Sequence, residues 1–219
     1  MVLEFFASGQ IVVNGLSSPW DQVTTVGTKR TRVALYDSTG TSGKGVPRVC
    51  ELLGDNRKIE LVRVCGRDIQ NGILRQFDCV VFTGGSGSGQ ARGLMDNGRR
   101  AVHAFVEEGG GYVGICAGSY LACSGFDWGL GLLQMKTKSP KWKRGKGMVR
   151  MTLTPAGRSI FGSLPSRTIL YANGPILEGA TPDVALKPLA YFQSEIALNG
   201  TPKGIMLSLI HISEPTRPY

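Results

Sequence analysis

The stretch Gly109–Ala122, GGGYVGICAGSYLA, decides the fold. Its first half, YVGIC behind a run of glycines, is the apolar pattern of a buried strand. Its second half, AGSYLA, opens a helix. Between them stands Cys116, inside Gly114-Ile115-Cys116-Ala117-Gly118, which fits G-x-C-x-G, the cysteine form of a nucleophile elbow. A nucleophile on a sharp strand-to-helix turn sits in a strained backbone conformation. The residues two places either side must be small, because helix and strand come close there. The turn projects the sulfur out of the C-terminal edge of the sheet. The helix N-terminus behind it offers unpaired N–H groups and a partial positive charge, both of which favour thiolate. The Ala117 N–H is one natural donor to an oxyanion, with Gly118 completing the tight turn.

Reading outward, the second donor is expected from a loop after a neighbouring strand. FDCVVFTGG is a buried-strand pattern closed by Gly84 and Gly85, and glycine lets backbone N–H groups come close to a substrate oxygen. Upstream, RVALYD is a short strand followed by the loop signal DSTGTSGKG. VPRVCELLG places Val46, Val49, Leu52 and Leu53 on one helical face, with Pro47 at its start and Gly54 at its end. KIELVRV alternates as a strand does, and RRAVHAFVEEGGG sets Val102, Phe105 and Val106 at helical spacing. Strand–helix alternation of this kind predicts a parallel α/β sheet. After Ala122 the character changes. GLLQMKTK, KGMVRMTLTPAG, RTILYANGP and ALKPLAYFQSEIALNG read as strands joined by turns.

The bulk properties agree with one folded domain. The chain has 219 residues, 42% of them hydrophobic and 19% charged, which excludes disorder as its main state. No run of 18 apolar residues is present, so no membrane-spanning helix is expected. Five cysteines, Cys50, Cys65, Cys79, Cys116 and Cys123, are an odd number with no CxxC pair. That argues against a disulfide scaffold and a zinc ribbon and for free thiols in the cytoplasm. Met1–Gln10 has no basic start and only a short apolar run, unlike a signal peptide. The formal charge is +9, and much of it lies in Lys136, Lys138, Lys141, Lys143, Arg144, Lys146 and Arg150, with Trp142 among them. Such a run could contact an anion or nucleic acid, but no nucleic-acid motif accompanies it, so a solvated turn that guards a strand edge is the simpler reading.

Other motifs fail. DSTGTSGKG differs from a phosphate loop at Ser38, where the first glycine belongs, and at Gly45, where Ser or Thr belongs. GGSGSGQ is too loose for a dinucleotide fingerprint. Scattered cysteines and a helical His103 do not make a metal set. No cofactor and no metal are therefore expected. The four cysteines other than Cys116 default to core packing.

The elbow, the FTGG strand end and the α/β order resemble the class I glutamine amidotransferase-like superfamily. More narrowly, VALYDSTGTSGKG, FTGGSGSG, GGGYVGICAGSYLA, KWKRGKGMVRMTLTPAGRSIFG, YANGPIL and PLAYFQSEIALNGTPKGIM, in that order, resemble the family named after the N-terminal domain of biotin-protein ligase. The resemblance spans Arg32–Met206 and is a likeness of domains that does not imply biotin ligation. It implies a flavodoxin-like three-layer α/β sandwich with a mostly parallel sheet and a site at the switch point of the sheet. It also implies that Cys116 is the nucleophile, with Gly84, Gly85, Ala117 and Gly118 around the oxyanion. Asp37 and Ser38, at the end of the first strand, would face the same edge. The implied substrate is a small amide or carbonyl compound. Two departures matter. Tyr120 stands four residues after the cysteine, where working amidotransferases usually carry glutamine, and no late His-Pro-Glu segment is present. A binding or regulatory module that keeps the pocket without turnover is therefore the second reading, and anion or nucleic-acid binding through residues 136–150 ranks last. A partner protein and an oligomeric state are not legible.

The ends are read apart from the domain. Residues 1–31 carry Gly, Ser and Pro without sustained periodicity and are expected to be an appendage. Residues 207–219, LSLIHISEPTRPY, closely resemble the in-frame translation of a sequencing adapter and are expected to be foreign to the fold. On that reading His211 is not a native residue, the domain of residues 32–206 is incomplete, and the histidine of the triad would follow KGIM.

Overall fold

The strand–helix alternation of the first 122 residues builds the parallel part of a nine-stranded sheet. In the computed structural model, residues 11–14, 30–137, 146–163, 168–172, 174–179, 187–193 and 206–211 are described. The order along the chain is β1 (Ile11–Asn14), β2 (Thr31–Tyr36), α1 (Gly45–Leu53), β3 (Ile59–Val64), α2 (Gly66–Gln70), β4 (Cys79–Phe82), α3 (Gly87–Glu107), β5 (Gly111–Ile115) and α4 (Ala117–Ala122). There follow β6 (Met135–Thr137), β7 (Lys146–Leu153), α5 (Pro155–Phe161), β8 (Thr168–Ala172), β9 (Leu177–Gly179), β10 (Lys187–Phe192) and β11 (Met206–His211).

The sheet runs β3-β2-β4-β5-β1-β11-β10-β7-β8. Its first four strands are all parallel, and their order reverses between β2 and β4. That reversal opens a crevice at their C-terminal ends, where this class of sheet takes its ligands. Helices cover both faces, as in a flavodoxin-like fold. Successive side chains of β2 point to opposite faces. Val33 and Leu35 therefore join Val46 and Val49 of α1 in one core, while Ala34 and Tyr36 join Leu94, Val102 and Leu121 of α3 and α4 in the other. Leu52, expected on the buried face of α1, is 38% exposed, because Val46, Val49 and Leu53 share one face at helical spacing and Leu52 lies off its edge.

The far half of the sheet is of a different kind. β10 pairs antiparallel with both β7 and β11, and β7 and β8 form an antiparallel pair. This half has its own core of Val149, Met151, Ile169, Tyr171 and Phe192. A helix interrupts the strands here: Thr154 caps α5 by accepting from the Gly157 N–H at 3.0 Å, and Pro155 sits in its first turn. The two halves meet through β1 and β11. Backbone pairing sets β1 antiparallel to β5 and parallel to β11. The sheet thus takes in Ile11–Asn14 and Met206–His211, two segments that the sequence alone sets in or beside its appendage and tail. Most of the basic run, residues 138–145, lies outside the described residues.

Candidate functional site

The elbow is where the backbone bends hardest. Cys116 has φ 56° and ψ −103°, one of two positive-φ residues other than glycine in the described chain. Such a conformation costs of order 1–3 kcal/mol and persists only where its surroundings fix it. They do so here. A Cβ on Gly114 would lie 2.6 Å from the Gly118 carbonyl oxygen, and one on Gly118 would run into the Phe82 carbonyl of β4. Ser119 Oγ donates to the Gly114 carbonyl at 2.8 Å, and the Tyr112 hydroxyl donates to the Gly118 carbonyl at 2.7 Å. The Cys116 carbonyl accepts from the Ser119 and Tyr120 N–H groups at 3.1 and 3.2 Å, so α4 begins at once.

The glycine turn after β4 lies alongside. A Cβ on Gly84 would lie 3.8 Å from the Cys116 Cβ. Two hydrogen bonds pin the peptides of this turn by their carbonyls. Gln90 Nε2 donates to the Thr83 carbonyl at 2.8 Å, and the Ser42 N–H donates to the Gly84 carbonyl at 3.1 Å. In a planar trans peptide the N–H points away from the carbonyl. The Gly84 and Gly85 N–H groups are therefore turned away from those partners, and among the described residues neither finds an acceptor. The Ala117 N–H, in the first turn of α4, is also unpaired there. The Ala117 N–H thus follows the nucleophile directly and the Gly84 backbone lies beside it, and among the described residues the fold uses neither N–H.

Asp37 and Ser38 are placed differently. The Asp37 carboxylate pairs with Arg63 of β3, the Arg63 Nε lying 2.6 Å away. Ser38 closes a turn with Thr41. Asp37, Arg63, Ser42 and Cys50 line a cavity of about 440 Å³ on the α1 side of the crevice. The loop of residues 37–45 joins that cavity to the glycine turn, since Thr41 forms a bridge to Gly85. On the other flank, the Trp128 ring packs at the first turn of α3, and the Phe126 ring stacks on it at 4.5 Å and meets Tyr120 edge-on at 6.0 Å.

Two of the other thiols are perturbed by their surroundings. Burial pushes Cys123 up to about 12, and burial with the nearby Asp78 carboxylate does the same to Cys79. Both are held in the protonated thiol form, which is not the nucleophilic one. Neither histidine stands beside the elbow. His103 lies on α3, 3.2 Å from the Glu107 carboxylate. His211 is opposite Asn14, which is opposite Tyr112, whereas Ile115 is opposite Ile11. Its backbone is therefore about 10 Å from the elbow along the strands and two strands across. Among the described residues no cluster of His, Cys, Asp and Glu could hold a metal.

With this geometry in view, the comparisons with known proteins are specific on one point. The family described as biotin-protein ligase, N terminal, matches residues 31–141, which span β2 to β6 and contain both the glycine turn and the elbow. The chain belongs to that family. No curated protein matches it. Among solved structures, a ThuA-like protein from Bacteroides uniformis ATCC 8492 superposes with a TM-score of 0.54 at 11% identity, over 89% of this chain and 84% of that one. At that identity the likeness is one of fold alone, and it agrees with the flavodoxin-like arrangement. No helix among the described residues is long and apolar enough to cross a membrane.

Sequence reading missed Gln90. A glutamine behind a run of glycines and serines carries no sequence signal of burial. It is instead fully buried.

Proposed function

We propose that this member of the biotin-protein ligase N-terminal family carries a cysteine-dependent acyl-transfer site of the amidotransferase or hydrolase type. The supporting observation is the strained Cys116 at the start of α4, with the unused Ala117 N–H next to it and the glycine turn of Gly84 alongside. Cys116 loses its proton to solvent and attacks a carbonyl or amide carbon. The carbon–sulfur bond forms as the carbonyl π pair moves onto oxygen. The N–H groups of Ala117 and of Gly84 or Gly85 receive that oxyanion. Collapse restores the carbonyl and expels the leaving group, an amine taking a proton from water. A second water then cleaves the thioester, or another amine takes the acyl group.

A second reading keeps the same pocket for a small ligand without turnover. The positions of His103 and His211 favour it, since neither offers a base to Cys116 and triad activation needs one. p-Nitrophenyl acetate separates the two. A burst of one equivalent of nitrophenol, with acetyl found on Cys116 by mass spectrometry and absent from Cys116→Ala, is the expected result. Continued release after the burst marks a hydrolase. Acylation no faster than that of a free thiol in an unfolded peptide would overturn the catalytic reading in favour of the binding one.

A further inference from the structure

Among the described residues three polar side chains are fully buried: Thr83, Gln90 and Ser119. All three adjoin the elbow or the glycine turn. Ser119 holds the elbow through the Gly114 carbonyl. Gln90 reaches from α3 to the glycine turn, and its Nε2 donates to the Thr83 carbonyl at 2.8 Å. Its other amide atom, Oε1, is buried without a hydrogen-bond partner among the described residues. A buried amide left half-satisfied is a poor device for packing alone, because an apolar side chain of the same length fills the space without that penalty.

The bond it makes governs a single degree of freedom. The Thr83 carbonyl and the Gly84 N–H belong to one rigid plane. Fixing the oxygen on the α3 side fixes the Gly84 N–H on the opposite side, where no described residue accepts from it. Gly84, lacking a Cβ, puts little steric restraint of its own on this plane. α3 is itself seated by the same loop, since a Cβ on Gly40 would meet the Gln90 backbone and the Ser86 N–H donates to the Gly40 carbonyl at 2.8 Å.

We infer that Gln90 is a positioning residue that aims the Gly84 N–H at the oxyanion formed when Cys116 attacks a carbonyl. The inference rests on the proposed acyl-transfer reading and adds to it the device that presets one donor. Gln90 touches no reacting atom. Its effect passes through the Thr83–Gly84 peptide.

Two reactions of the same thiol test it, because only one of them makes an oxyanion. Iodoacetamide alkylates sulfur by displacement at a saturated carbon, with no charge developing on a carbonyl oxygen. p-Nitrophenyl acetate acylates it through a tetrahedral oxyanion. In Gln90→Met, which has nearly the same length and no donor, acylation of Cys116 is expected to fall by 30-fold or more while alkylation stays within 2-fold of the wild type. In Gln90→Glu, a protonated carboxyl can still donate to the Thr83 carbonyl and a carboxylate cannot. The ratio of its acylation rate to that of the wild type is therefore expected to fall as pH rises, whereas the alkylation ratio stays flat. Should Gln90→Met fail to fold, the pH profile of Gln90→Glu decides alone. Equal losses in both reactions would make Gln90 a structural residue and overturn the inference, as would acylation unchanged in both variants. If wild-type Cys116 is not acylated faster than a free thiol, the acyl-transfer reading fails first and this inference with it.

Discussion

Two glycines flank Cys116 for reasons that a single added methyl group can test. Gly118 packs against the backbone of β4, so that its Cβ would run into the Phe82 carbonyl oxygen, an atom fixed in the sheet. Gly84 borders Cys116 itself, and a Cβ there would make an ordinary contact at 3.8 Å. The two substitutions should therefore separate folding from chemistry. Gly118→Ala is expected to lower stability by about 2 kcal/mol in urea unfolding, the range for forcing extra volume into a packed region. Gly84→Ala is expected to stay within about 0.5 kcal/mol of the wild type but to slow acylation of Cys116, since its methyl group sits where a substrate carbonyl must approach. A Gly118→Ala protein as stable as the wild type would mean that the elbow is looser than its contacts imply. The glycines, the cysteine and the turn were legible in the sequence because each obeys a local rule of backbone sterics. Gln90 was not, because its burial comes from a loop some fifty residues away in the chain that closes over it.

α3 shows how an element can be read in one half and missed in the other. Val102, Phe105 and Val106 announce its second half at helical spacing, and all three are buried. Its first half, GSGQARG, carries no helical spacing of apolar residues, yet it is helical from Gly87. The glycines there answer to tertiary contacts. A Cβ on Gly93 would press on the Tyr36 hydroxyl and on Thr39, and one on Gly66 would strike the Gly93 carbonyl. The halves join at a break, where Met95 has φ 55° and ψ −179°, a region that is essentially glycine's own. The Met95 side chain is 62% exposed, so it buries little in return. Met95→Gly is expected to relieve that strain and to cost something in unfolded-chain entropy, for a net gain of about 1 kcal/mol. Thermal unfolding of the variant checks it, and a lower midpoint would show that the methionine side chain holds the break rather than suffering it. α5 is the converse case. Thr154-Pro155 is a helix start in any reading of caps, but the strand-like alternation before it draws the eye past.

At the scale of the molecule, the parallel half was legible because its strands alternate with the helices that cover them. The order in which β1 and β11 bring the two halves together was not. Those pairings join residues about 100 to 200 positions apart, and nothing local encodes them. The same long-range closure buries Cys123 and Tyr112 in one core below the elbow, where loss of a proton is disfavoured. Burial pushes the Cys123 thiol up to about 12 and the Tyr112 phenol well above its ordinary value. In an unfolded chain the same groups ionise near 8.5 and 10. Above those values the unfolded state has lost protons that the folded state keeps, so stability must fall as pH rises. The Cys123 contribution is whole below about pH 8.5 and disappears as pH climbs through about 12. Each such group takes away about 1.4 kcal/mol per pH unit over that window. Urea unfolding at pH 8, 9.5 and 10.5 should show this decline in the wild type. Cys123→Ala removes one titrating group, so its stability, although lower at pH 8 for lost packing, should decline less steeply by about 1.4 kcal/mol per unit between pH 9.5 and 10.5. Parallel slopes for the two proteins would mean that Cys123 ionises as readily in the folded domain as outside it, and that the core around it opens without global unfolding.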